Sequence, residues 1–152
     1  MRKLANVNRA VKEAINSPKA KLATAIVFEK RPRWGPELER QFANENVNVI
    51  ECRSLRDVVD RTAEVVRGVI LLDLDFKPAE CLRFLARRLS DGASLPVFIV
   101  GSDETAELEW PVRDLGAAAF FAKTIPGHEM ADLFRRQWAR CDEAETTEAE
   151  IQ

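Results

Sequence analysis

The strongest constraint in this sequence is a regular alternation of short apolar runs with helical patterns. The runs are rich in Val, Ile, Leu, Ala and Phe, and they occupy residues 22–28, 47–53, 68–76, 95–101 and 117–123. A segment with helical spacing follows each of them. Nearly continuous apolar strands separated by helices indicate parallel pairing, with helices covering both faces of the sheet. The sequence therefore predicts an α/β fold with a single doubly wound, five-stranded parallel sheet.

The polarity of the second run sets the expected strand order. Residues 47–53 (VNVIECR) alternate apolar and polar side chains, as a strand at the edge of a sheet would. With right-handed crossovers, this favours the order 2-1-3-4-5. In such sheets a ligand site forms beyond the carboxyl ends of the strands, where the strand order reverses. Candidate functional residues are therefore sought at those ends.

Length and charge divide the chain into three parts. A chain of 152 residues is the size of one ordinary domain, which we place at residues 22–140. Residues 1–21 carry six basic residues against one acidic residue, and their heptad-like apolar spacing indicates a basic helix or arm. Residues 141–152 carry five acidic residues and no basic one. They lack apolar periodicity, so we expect a disordered acidic tail.

Composition argues against several classes of protein. Between its termini the chain is nearly neutral, which does not suggest a nucleic-acid-binding surface. No apolar run approaches about 18 residues, so no segment is expected to enter a membrane. Three widely spaced cysteines and a single histidine give no zinc motif. They indicate reduced thiols in a cytoplasmic protein.

Three charged residues stand at the ends of predicted strands. Glu29 closes the first strand, Asp73 closes the third and Lys123 closes the fifth. In the predicted strand order, the first and third strands are adjacent, so both carboxylates face one cleft that Lys123 approaches from the other side. Such a set is suited to a divalent metal, for which hard oxygens favour Mg²⁺, and to a phosphoryl group whose charge the lysine offsets.

These strand ends resemble those of response-regulator receiver domains, which have a flavodoxin-like (CheY-like) fold. The resemblance covers residues 22–140 and includes IVFE, VILLDLDF, PVFIVGS and GAAAFFAK at four strand ends. It implies that Asp73 is the phosphoacceptor, Lys123 the conserved lysine and Phe120 the aromatic switch residue. It also implies a metal site formed by acidic residues, here Glu29 and Asp73, with the backbone carbonyl of Asp75.

The chain also departs from the receiver pattern. Phe28 replaces the first acid of the usual pair, and Thr124 follows the lysine where the family usually has proline. Gly101 stands at the switch position that normally supplies a hydroxyl, with Ser102 one residue later. The resemblance therefore implies an atypical receiver, or pseudo-receiver, with weak Mg²⁺ binding and Asp73 as a weak phosphoacceptor.

The expected function is a stand-alone signalling domain of two-component type, not an enzyme. The sequence ends soon after the last predicted helix, so no output domain is expected to follow. Such a domain acts through protein–protein contacts. The expected partner is a histidine kinase or a downstream target, with a homodimer as a further arrangement, and neither nucleic acid nor membrane is expected as a partner.

Two other functions remain open from the sequence. Asp73 and Asp75 resemble the DxD motif of haloacid-dehalogenase-type phosphatases, although Phe76-Lys77-Pro78 follows instead of the usual Gly-Thr. A nucleotide- or flavin-binding protein of flavodoxin type is the other alternative. The loop at residues 29–35 contains arginines, but it lacks the Gly-rich or hydroxyl-rich pattern of a phosphate loop.

Overall fold

Five parallel strands form the centre of the fold. In the computed structural model, which describes residues 21–151, they are β1 (Ala23–Phe28), β2 (Val47–Cys52), β3 (Gly68–Asp73), β4 (Val97–Gly101) and β5 (Ala119–Ala122). Their order in the sheet is β2-β1-β3-β4-β5, and every neighbouring pair is parallel. Both the predicted strand order and the predicted doubly wound α/β architecture are confirmed.

Helical segments connect the strands. They are α1 (Trp34–Gln41), α2 (Leu55–Thr62), α3 (Pro78–Asp91), a 3-10 helix (Asp103–Leu108), α4 (Glu109–Asp114) and α5 (Gly127–Ile151). Local sequence sets several of their ends. The Ser54 hydroxyl accepts a hydrogen bond from the backbone N–H of Asp57 and caps α2. Gly92 ends α3 in a left-handed conformation, with φ of 67°, that glycine adopts without steric cost.

The sheet is buried on both faces, which explains its continuous apolar strands. On one face, alternate residues of the central strands pack against α1 and α5, including Leu38, Phe134 and Trp138. On the other face, the intervening residues pack against α2, α3 and α4, including Val58 and Leu85. Because parallel sheets place helices on both sides, the apolar residues of the central strands divide between two cores.

The C-terminal segment differs from the sequence prediction. The predicted disordered tail, residues 141–152, is helical through Ile151, because α5 continues without a break from Gly127. Alanine and glutamate favour helix. In addition, the Arg67 guanidinium forms two hydrogen bonds of 3.0 and 2.8 Å with the Asp142 carboxylate. This ion pair connects α5 to Arg67, the residue that precedes β3.

The predicted basic helix or arm lies outside the described residues, except for Lys21. The Lys21 ammonium forms an ion pair of 3.3 Å with Glu145 of α5. Within residues 21–151, no helix is both long and apolar enough to cross a membrane.

Candidate functional site

Charged side chains gather at the carboxyl edge of the sheet, as the sequence predicts. Asp73 ends β3, Asp75 lies in the turn after it, and Lys123 follows β5. They line a cleft of about 330 Å³. The other residues that line this cleft are Glu29, Lys30, Arg31, Arg33, Trp34 and Phe76. The cleft lies at the switch point of the strand order, where α/β folds bind ligands.

Lys123 is shared between two carboxylates. Its Nζ lies 3.0 Å from Asp73 Oδ1 and 2.7 Å from Asp75 Oδ2. The backbone N–H of Asp75 also donates a 3.0 Å hydrogen bond to Asp73 Oδ1. Burial opposes the charge on the lysine, but the hydrogen bonds that its ammonium donates to Asp75 and Asp73 outweigh burial and raise the Lys123 pKa. Lys123 therefore remains a cation that bridges the ends of β3 and β5.

The Asp75 side chain makes most of the polar contacts at this site. Besides Lys123, it accepts a 2.6 Å hydrogen bond from the Thr105 hydroxyl and bonds of 3.2–3.3 Å from the Ser102 N–H. Burial alone would raise the Asp75 pKa, but the bonds from Lys123, Thr105 and Ser102 together lower it to about 2. The receiver resemblance gave Asp75 only a backbone role, and only the phosphatase alternative used its carboxyl group. Sequence reasoning therefore missed these side-chain contacts.

The Thr105 hydroxyl lies beside Gly101, a position that has no side chain of its own. A Cβ atom on Gly101 would lie 2.5 Å from Thr105 Oγ1, so the glycine leaves the space into which this hydroxyl projects. Thr105 is buried in the 3-10 helix after β4. Sequence reasoning missed it, although a hydroxyl four residues beyond the glycine was a visible signal. Ser102 contributes its backbone N–H, while its hydroxyl caps the 3-10 helix by accepting from the N–H of Glu104.

The Glu29 side chain binds the backbone at the start of α1. Its side chain is buried, and its two oxygens accept hydrogen bonds of 3.0–3.1 Å from the backbone N–H groups of Arg33, Trp34 and Gly35. These donors lie at the start of α1, where backbone N–H groups have no partner within the helix. The carboxylate thus caps α1, favoured by the helix dipole.

The residues at the site do not fit the expected magnesium ion. Both Glu29 oxygens already accept hydrogen bonds from the start of α1, and Asp73 and Asp75 form ion pairs with Lys123. Phe28, at the position of the first expected acid, is buried and stacked on Phe76 with ring centroids 4.9 Å apart. Across residues 21–151, no three His, Cys, Asp or Glu side chains are grouped so that they could hold a metal ion.

The loop after β1 is tied to the end of β5. The Arg33 guanidinium donates a 2.6 Å hydrogen bond to the Lys123 carbonyl and lies 5.2 Å from the centroid of the Trp34 ring. Arg53, after β2, donates to the Glu29 carbonyl at 2.9 Å. These bonds link the loop after β1 to the residue after β5 and to the residue after β2.

Phe120 lies on β5, half-buried against the core that faces α2, α3 and α4. Its ring would be 3.1 Å from a Cβ atom on Gly101, so it borders the space that Thr105 fills. Its proposed role as a switch residue stays a prediction.

The fold is that of response-regulator receiver domains, as comparison with solved structures shows. A response regulator from Thermotoga maritima superposes with a TM-score of 0.68 at 13% identity, over 78% of this chain and 99% of that one. The signal receiver domain of a regulator from Bacteroides fragilis gives 0.66 at 20% identity, over 77% and 97%. The beryllofluoride-activated NtrC4 receiver domain dimer gives 0.66 at 14% identity, over 77% and 97%. No protein-family model and no curated protein matches the chain.

The low Asp75 pKa predicts a loss of stability in acid. Because the folded pKa of about 2 lies below the ordinary value of 3.8, the carboxylate stabilises the fold above about pH 4. This contribution, about 1–2 kcal/mol after allowance for solvent screening, disappears as the pH falls through 2. Urea unfolding between pH 2 and 5 measures it. Asp75→Asn should make the free energy of unfolding less dependent on pH between pH 2 and 5. The exposed Asp60→Asn should leave that dependence unchanged.

Proposed function

We propose that this chain is an atypical receiver-like signalling domain that acts through protein–protein contacts. One observation supports this most strongly. Asp73 ends the central strand of a receiver fold, within 3.0 Å of the lysine that follows β5, in an open cleft. In this proposal, Asp73 is a weak phosphoacceptor and the domain is not an enzyme.

The chemistry proposed for Asp73 is attack on a phosphoryl donor. With acetyl phosphate, an Asp73 oxygen forms a bond to phosphorus, the bond from phosphorus to the acetyl oxygen breaks, and acetate leaves with its electron pair. Lys123 would offset charge on the transferred group. The reaction is expected to be slow because Asp75 already occupies Lys123, Ser102 and Thr105. In addition, Phe28 replaces one metal-binding acid, and Glu29 is bonded to the start of α1.

The geometry weighs against the phosphatase alternative. A DxD phosphatase needs its second aspartate to donate a proton as a general acid. Here Lys123 lies 2.7 Å from Asp75 Oδ2, and the Thr105 hydroxyl donates to Oδ1 at 2.6 Å. The Asp75 oxygens thus accept hydrogen bonds where a general acid would have to donate a proton.

The loop after β1 likewise disfavours a nucleotide or flavin site. Phosphates in such sites bind the backbone N–H groups at a helix N-terminus. Here Glu29 already accepts from three of these groups at the start of α1. The proposed partner is therefore a protein, either a histidine kinase or a downstream target, with a homodimer as a second arrangement.

We place the domain in the cytoplasm. Cys52, Cys81 and Cys141 are free thiols. Burial raises the pKa of both Cys52 and Cys81 to about 12, so these two carry no reactive thiolate at neutral pH. Three unpaired cysteines suit a reducing compartment.

Incubation with acetyl phosphate tests the phosphoacceptor role. We expect intact-mass analysis to show slow, substoichiometric addition of one phosphoryl group, with or without Mg²⁺. Asp73→Asn should abolish it, while the exposed Asp60→Asn should not, because Asp60 lies outside the cleft. Rapid stoichiometric labelling of the unmodified protein would refute the description of a weak acceptor. Labelling that persists in Asp73→Asn would place the acceptor elsewhere.

A further inference from the structure

Three hydrogen-bond donors from separate parts of the chain converge on the Asp75 carboxylate. They are the Lys123 ammonium after β5, the Ser102 backbone N–H after β4 and the Thr105 hydroxyl in the 3-10 helix. A cation, a backbone amide and a hydroxyl are the groups that bind phosphoryl oxygens in proteins. The same donor set would therefore suit a phosphate-type oxoanion.

We propose that the Asp75 carboxylate is the built-in occupant of these three donors, an oxoanion site that it keeps closed to phosphate. A free phosphate, or a phosphoryl group on Asp73, gains the site only when the Asp75 side chain leaves it. This inference deepens the proposed function and rests on it only for the phosphoryl group on Asp73. The binding of free phosphate is independent of whether Asp73 reacts.

Charge explains why the two anions exclude each other. Lys123 already serves two carboxylates, so the cluster of Asp73, Asp75 and Lys123 has a net charge of −1. A phosphoryl group on Asp73 would add further negative charge beside Asp75. Two neighbouring negative charges repel strongly in a partly buried site. Asp75 would then lose the ammonium to the stronger anion and leave the site.

The internal carboxylate also joins the three strand ends without any modification. Asp75 links the turn after β3 to the ends of β4 and β5. The bond from Arg33 to the Lys123 carbonyl extends this connection to the loop before α1. Hence the carboxyl edge of the sheet is held in one arrangement by the chain itself, and removal of Asp75 should release it.

A phosphate titration followed by NMR tests the inference. We expect inorganic phosphate to shift the Ser102 amide resonance in Asp75→Ala, with affinity at least about tenfold higher than for the unmodified protein. Asp60 is exposed and its side chain has no partner among residues 21–147. The control variant Asp60→Ala should therefore behave like the unmodified protein. Asp75→Ser gives the same readout with a polar side chain, should the alanine variant fail to fold.

The outcomes separate this inference from the phosphoacceptor proposal. Asp73→Asn combined with Asp75→Ala should still bind phosphate, because Asp73 supplies none of the donors. If this double variant binds phosphate while no form is labelled by acetyl phosphate, the oxoanion site stands and the acceptor role fails. The inference is overturned if folded Asp75→Ala and Asp75→Ser bind phosphate no better than the unmodified protein. Binding that survives Lys123→Met unchanged in the Asp75→Ala background also overturns it.

Discussion

Glu29→Ala is expected to lower the free energy of unfolding by about 3–5 kcal/mol. The Glu29 side chain is 2% exposed, and it satisfies three backbone N–H groups at the start of α1. Its loss leaves the amides of Trp34 and Gly35 buried without partners, and each such group costs about 1–3 kcal/mol. The change also removes a negative charge from a helix N-terminus.

Urea unfolding of this variant beside Glu39→Ala gives the test. Glu39 lies on the exposed side of the same helix, so its replacement should change stability by less than about 0.5 kcal/mol. A similar small loss in Glu29→Ala would mean that Glu29 does not cap α1. The residue would then be available for the metal role that the sequence predicts.

Gly101→Ala is expected to destabilise the protein by about 2–3 kcal/mol. The added Cβ would lie 2.5 Å from Thr105 Oγ1 and 3.1 Å from the Phe120 ring. Thr105 is buried and Phe120 is half-buried, so little space is open beside them. Thr105→Ala removes the closer of the two contacts, at the cost of the hydrogen bond to Asp75. The two changes should therefore be strongly non-additive.

A double-mutant cycle measures this coupling. The combined variant should be more stable than the sum of the two single effects predicts, by about 1 kcal/mol or more. Additive effects would show that the Thr105 hydroxyl does not occupy the space beside Gly101. The glycine would then be a missing switch hydroxyl with no replacement nearby.

The sequence carried enough information to predict the sheet because its strands are buried on both faces. A short, continuous apolar run such as residues 68–73 is typical of a strand that is covered on both faces. The more polar Val47–Cys52, with exposed Asn48 and Glu51, correctly predicted an edge strand. Strand ends then follow from topology, so the approach of Lys123 to Asp73 was predictable.

The side-chain directions at the site were less predictable. Glu29 follows β1 as a metal-binding acid would, but its contacts depend on the backbone of the loop before α1. Thr105 enters the site because a 3-10 turn, whose geometry the sequence does not specify, carries it back towards Gly101. The side chain of Asp75 then gains partners from the residues that follow β4 and β5, both distant in sequence.

The C-terminal helix shows how one long-range contact can reverse a local prediction. Residues 141–151 have no apolar periodicity, which predicts disorder when they are considered alone. Their composition nevertheless favours helix, and the ion pair between Arg67 and Asp142 anchors the first turn beyond the core. No local pattern marks Arg67 as the partner of this segment.

In our proposal, Asp75 holds the groups that a phosphoryl group on Asp73 would need. The most direct measurement compares the initial rates of acetyl phosphate labelling for the unmodified protein and Asp75→Ala by intact mass. Because Lys123, Ser102 and Thr105 are released in Asp75→Ala, this variant should be labelled at least about tenfold faster, which corresponds to an activation free energy lower by about 1.4 kcal/mol. Adding Asp73→Asn should block this labelling. Equal rates in two folded proteins would contradict the account.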